Sequence, residues 1–149
     1  MNKTKFGLLY LMINSTLYLK FYYTLVIIKS IPKNKGKMMC IFCKIVNGEI
    51  PNNTILENED FLAFEDINPQ AKVHAIVIPK AHVQSFAQVD AKTMEGMTPF
   101  IQEVSKKLNV HNDGYRLITN IGNNGGQEVP HLHFHILAGE QLRGLVNRK

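Results

Sequence analysis

The chain has 149 residues, enough for one domain with a proper core and too few to expect two. Its net charge of +5 invites a nucleic-acid reading, but seven of the seventeen basic residues precede Met38 and no acidic residue does. The rest carries ten basic against twelve acidic residues, a net −2, which argues against a surface for the nucleic-acid backbone on the folded domain.

From Phe6 to Ile28 the residues are mostly apolar and aromatic, interrupted by Asn14, Ser15, Thr16, Lys20 and Thr24. A span of that length reaches across a bilayer, but a lysine near the middle of a helix costs about 2.5–3.5 kcal/mol on insertion scales. No small-x-small cleavage site supports a secretory signal either. Met38 and Met39 directly precede the remaining sequence, so residues 1–37 are expected to lie outside the working fold and 38–149 to form the domain. Membrane contact follows only if the extension is real. Ile31 to Lys37 has the charges and helix breakers of a linker.

Cys40 to Val46 reads as a short helix stopped by Asn47-Gly48, followed by a turn at Ile50-Pro51. Cys40 and Cys43 form a Cys-x-x-Cys; a disulfide scaffold would need more bridges, so reduced thiols and a cytoplasmic location are expected. Thr54–Glu57 and Phe61–Glu65 look like strands joined at Asn58-Glu59-Asp60, a hairpin signal. After a loop from Asp66 to Gln70, the run from Lys72 to Ile78 is a strand ended by Pro79. Asp90 is a candidate N-cap, and Met94, Met97, Ile101, Val104 and Leu108 recur at helical spacing. Pro99, inside that pattern, predicts a kink or a broken first half. Tyr115 to Asn120 is a further strand. Together these predict an α+β fold: an antiparallel sheet of about five strands covered on one face, with one long and one short helix.

The most informative stretch is His131-Leu-His133-Phe-His135-Ile-Leu137. As a strand, it puts the three imidazoles on one face and Leu132, Phe134 and Ile136 on the other, packed into a core. Just upstream, Gly122 and the pair Gly125-Gly126 form a turn whose backbone N–H groups would cradle phosphate oxygens. Imidazole suits that neighbour, because it is a nucleophile when neutral and a proton donor when charged.

The run from Gly125 to Leu137, with Gly-Gly-Gln-Glu leading into the three histidines, resembles the histidine triad (HIT) family. It is most similar to the Hint branch of nucleoside phosphoramidate hydrolases, and the likeness extends from about Cys40 to Leu142. The resemblance implies a HIT-like fold and a homodimer. It implies His133 as the nucleophile that forms a nucleotidyl-histidine intermediate, His135 on the phosphate and His74 as an orienting fourth histidine. Asn120, Gly126 and Gln127 match positions close to the phosphate. Glu128 would hold a leaving-group amine or cap the turn. Asp66 matches a ribose-binding carboxylate, and Phe42, Ile45, Phe64, Ile67 and Ile76 match the slot for the base. Purine nucleotide conjugates are the implied substrates, handled with weak discrimination between bases.

Cys40 and Cys43 have the spacing to present two thiolates to a tetrahedral ion. The resemblance supplies His82 and His131 as the other ligands of a structural zinc; His131 is then a ligand, and otherwise a catalytic residue that orients His133. The alternative is that two reduced cysteines pack the amino-terminal turn. Competing functions are hydrolysis of dinucleoside polyphosphates, a nucleotide-binding regulator with little turnover, and a metallohydrolase with the triad around a catalytic ion. His111 reads as a surface residue near the end of the long helix.

Overall fold

The computed structural model of the protein describes residues 40–142 and 144, so the expectations for residues 1–37 lie outside the described residues. The elements are α1 (Ile41–Val46), β1 (Thr54–Glu57), β2 (Phe61–Glu65), β3 (Val73–Pro79), α2 (Ala91–Lys107), β4 (Arg116–Ile118) and β5 (Phe134–Ala138). The five strands form one antiparallel sheet in the order β1-β2-β3-β5-β4. This is the α+β arrangement read from the sequence, with the hairpin where the Asn58-Glu59-Asp60 turn placed it. Among the described residues, no helix is long and apolar enough to cross a membrane.

The expectation that only one face of the sheet is covered needs correction. On one face α2 lays Met97, Phe100, Ile101 and Val104 against Phe61, Ala63, Ala75, Val77, Phe134 and Ile136. On the other, α1 brings Phe42 onto Leu62, Phe64, Ile76 and Ile78. The cause is visible in β3, which is buried from His74 to Pro79 and reads as a continuous apolar run rather than an alternating one, the mark of a strand packed on both sides. Six residues of helix thus close the second face over the centre of the sheet.

Asp90 caps α2, its Oδ1 accepting from the Thr93 amide at 2.7 Å. The helix runs through Pro99 without a break. Pro99 and Glu95 both sit on the exposed side, so water can serve the carbonyl that proline leaves without its partner. Gly96 allows the helix to close on the sheet, since a β-carbon there would lie 2.9 Å from the Phe61 ring.

The histidine segment departs most from expectation. β5 begins only at Phe134, so His131 and His133 precede the strand. Carrying the β3–β5 register past Val77↔Phe134 would set Pro79 opposite Leu132. Pro79 has no N–H to extend the ladder, and its carbonyl accepts instead from the His131 ring, Nε2 to O 2.8 Å. The Leu132 amide turns to the Val83 carbonyl at 2.6 Å. Tyr115–Asn120 likewise shortens to Arg116–Ile118, with Ile118 paired to His135.

Candidate active site and metal centre

The three imidazoles do not share a solvated surface. His131 is fully buried, His133 is 5 % exposed, and His135 is half-buried. His133 lies against the ring of Phe42, centroids 5.3 Å apart, and against His135 at 5.0 Å. Its Nδ1 is 2.6 Å from the carbonyl oxygen of His131. A carbonyl only accepts, so Nδ1 carries the hydrogen and Nε2 is left with its lone pair in the neutral ring. That is the form in which imidazole attacks an electrophile.

His135 is tied on its other side to His74, on β3. His74 Nε2 and His135 Nδ1 are 2.9 Å apart, and Asp66 Oδ2 lies 3.3 Å from the same His74 nitrogen. The main-chain N–H of Gln70 donates to His74 Nδ1 at 3.1 Å. With Nδ1 accepting, the neutral His74 holds its hydrogen on Nε2 and gives it to His135 Nδ1, the nearer acceptor. His135 therefore keeps its own hydrogen on Nε2.

Burial drives the His135 pKa down to about 4, helped by the repulsion its charged form would meet from protonated His133 and His74 and opposed by Asp66. His74 is lowered as well, chiefly by burial, against the pull of Asp66 and of a bond to the Asn68 backbone. Both rings are neutral near pH 7, so the 3.3 Å contact between Asp66 and His74 is not an ion pair. Although Asp66, His74 and His135 cluster closely enough to suggest a metal site, the Gln70 amide opposes one. A metal on Nε2 would force the proton onto Nδ1, where it would meet another N–H.

The glycine turn differs from the expected amide cradle. Gly122 and Gly126 take positive φ, at 65° and 74°, whereas Gly125 does not. The Gly126 amide bonds to Asn123 O and that of Gln127 to Gly122 O, while the Gly122 amide donates to the Gln127 side chain at 3.0 Å. Those three amides are occupied within the turn. Gln127 also donates to the carbonyls of Gln84 (2.7 Å) and Val129 (3.0 Å), so its amide group braces three backbone segments. Asn120 reaches the Gly126 carbonyl at 3.4 Å, and Glu128 stands exposed on the adjoining loop.

Beside the histidines lies a cleft of about 370 Å³ whose walls include Phe42, Ile45, Phe64, Asp66, Ile67 and Ile76. All six were singled out from the sequence. Ile41, Ile50, Pro51, Asn52, Asn53 and Glu65 complete it; they follow from no local pattern, because the chain between α1 and β1 delivers most of them. Ile67 is 89 % exposed, an apolar side chain at the rim. Asp66 is set at the mouth by an Asx turn in which its Oδ1 accepts from the Asn68 amide at 2.8 Å.

On the far side of His133, Cys40, Cys43, His82 and His131 converge, with ligand atoms all within 4.8 Å of one another. Cys43 Sγ is 3.1 Å from His82 Nδ1, and His131 Nδ1 is 3.5 Å from Cys40 Sγ and 3.6 Å from Cys43 Sγ. Bonds of about 2.3 Å to sulfur and 2.0–2.1 Å to nitrogen in a tetrahedron require sulfur–nitrogen edges of roughly 3.5 Å. The donation from His131 Nε2 to Pro79 O fixes the tautomer that leaves Nδ1 as a ligand, the outer-shell bond that metal-binding histidines need. The residues fit a four-coordinate ion. Neither cysteine is in a disulfide; Cys40 is buried and Cys43 partly so.

The HIT domain family model matches residues 47–142. The chain belongs to the HIT family. An uncharacterised HIT-like protein of Helicobacter pylori (strain ATCC 700392 / 26695) is 57 % identical over 103 residues, covering 69 % of this chain and 99 % of that protein. Among solved structures, a histidine triad protein from Clostridium difficile aligns at 44 % identity with a TM-score of 0.68, covering 72 % of this chain and 96 % of that one. A HIT family hydrolase from Clostridium thermocellum aligns at 37 % identity and TM-score 0.69, with the same two coverages.

Proposed function

We propose that this HIT protein hydrolyses purine nucleoside phosphoramidates through a covalent nucleotidyl-histidine. The observation that carries the reading is the His131 carbonyl on His133 Nδ1, which leaves the Nε2 lone pair as nucleophile. In the first step Nε2 bonds to phosphorus and the P–N bond breaks, the amine leaving with a proton taken from solvent, which the attacking water of the second step returns. In the second, water adds to phosphorus and the P–Nε2 bond breaks, giving the mononucleotide and restoring the lone pair. His135, neutral with its hydrogen on Nε2, donates to a phosphoryl oxygen. The cleft takes the base between Phe42, Phe64 and Ile76, and Asp66 accepts from the ribose hydroxyls. That apolar slot supports similar handling of adenosine and guanosine.

The same proposal places zinc on Cys40, Cys43, His82 and His131, where the ion supplies structural cross-linking and His131 takes no part in proton transfer. It includes a homodimer of this chain, as the family resemblance implies. The test is rapid quenching of wild type and His133→Ala with an adenosine phosphoramidate and with a dinucleoside polyphosphate. Labelled protein from the phosphoramidate, absent in the variant, supports the reading; faster turnover of the polyphosphate or turnover by His133→Ala overturns it.

A further inference from the structure

His133 lies outside the sheet ladder, so hydrogen bonds between strands do not set its position. Two other devices do. The Leu132 amide is bonded to Val83 O, and the residue before it, His131, is fixed by both ring nitrogens: Nε2–H on Pro79 O and Nδ1 among the thiols of Cys40 and Cys43. The carbonyl of that same residue receives the His133 Nδ1–H at 2.6 Å. One fully buried side chain therefore links the cysteine cluster to the tautomer of the nucleophile.

We infer that the Cys40–Cys43–His82–His131 set is the positioning device for His133, holding the His131 carbonyl where it selects the attacking tautomer, rather than only a cross-link for the fold. The inference rests on the proposed zinc site. Without the ion, the His131 ring loses the coordinate bond that ties Nδ1 to both cysteines through the metal, its carbonyl is held less firmly, and His133 relaxes towards the Nε2–H form that free histidine favours. That form has no lone pair at the attacking atom. The substrate cleft is lined by other residues, apart from Phe42, so binding is expected to survive.

The test uses the full chain purified with its metal, the same protein after chelation, the chelated protein with zinc restored, and Cys43→Ser. Each is measured for zinc content, far-ultraviolet ellipticity, kcat and KM, and for the His133 ring nitrogens by ¹⁵N NMR. The expected result is that loss of zinc lowers kcat at least tenfold, shifts KM less than threefold and moves the His133 proton from Nδ1 to Nε2, with ellipticity unchanged and all three reversed by zinc. Zinc loss that leaves kcat and the His133 tautomer unchanged overturns the coupling while the zinc site stands. Loss of ellipticity together with activity also overturns it, because the ion then only holds the fold. A protein that neither contains nor retains zinc overturns both the coupling and the zinc site.

Discussion

His131 and His135 stand four residues apart and flank His133, the proposed nucleophile, yet they are held by opposite means. His131 precedes the strand, is sealed from solvent, and is fixed by its ring on a carbonyl and two thiols. His135 is fixed by its main chain, in register with Ile76 of β3 and Ile118 of β4, while its side chain stays partly exposed. Burial and bonding suit the first to a structural part and the second to the proposed chemistry. One sequence motif thus contains two kinds of histidine, and position in the alternation does not separate them.

The largest expected effect tests the structural half. His131→Ala removes a fully buried ring from between Phe42 and His82 and should destabilise the fold by about 3–5 kcal/mol, read from urea unfolding. Its fully buried neighbour gives a reference: Leu132→Ala should cost about 2–5 kcal/mol without touching the proposed metal ligands. If His131→Ala unfolds at the wild-type midpoint, the structural half of the contrast is wrong.

His135→Ala should show the converse, with stability changed by less than about 1 kcal/mol and kcat lowered on the order of 10²-fold, the range for loss of a positioned hydrogen-bonding or acid–base group. Unfolding and single-turnover rates on the same preparations check the split. Equal losses of stability in the two alanine variants would erase the distinction.

The pH dependence of stability is a smaller signal with a definite sign. His135 has a folded pKa near 4, below the value of about 6.5 expected when unfolded. Between those values the unfolded chain binds more protons, so stability rises with pH through that window and falls as pH drops from about 6.5 to 4. His74 adds in the same direction. His135→Asn should flatten this slope, and NMR titration of the wild-type His135 ring should find its midpoint near 4. A midpoint above 6 contradicts the burial argument.

What the sequence revealed and what it concealed follow the same division. Features set by neighbours in the chain were legible: the Asp90 cap, the Met97–Ile101–Val104 stripe, the hairpin at Asn58-Glu59-Asp60, and the apolar lining from Phe42 to Ile76. The start of β5 was not, because alternation looks the same whether or not the main chain pairs. The cue lay 52 residues away, in Pro79, whose missing N–H and occupied carbonyl end the ladder. The glycine turn misled for a related reason. Glycines announce positive φ, but nothing local says that the amides of Gly126, Gln127 and Gly122 will be taken by Asn123 O, Gly122 O and the Gln127 side chain respectively.

The finest test concerns His74, which supports the reacting half without belonging to the triad. The Gln70 amide keeps Nδ1 an acceptor, so His74 acts as a fixed N–H donor to His135 and need not change its charge during turnover. Glutamine can place an amide N–H close to the position of Nε2 but cannot titrate. His74→Gln should therefore retain kcat within about tenfold, whereas His74→Ala, which leaves His135 free to rotate, should lose on the order of 10²-fold. If both variants fall equally far, proton exchange at His74 is part of the reaction. The two sides of the nucleophile would then differ in chemistry as well as in burial, and the neutral donor would give way to a working acid–base pair.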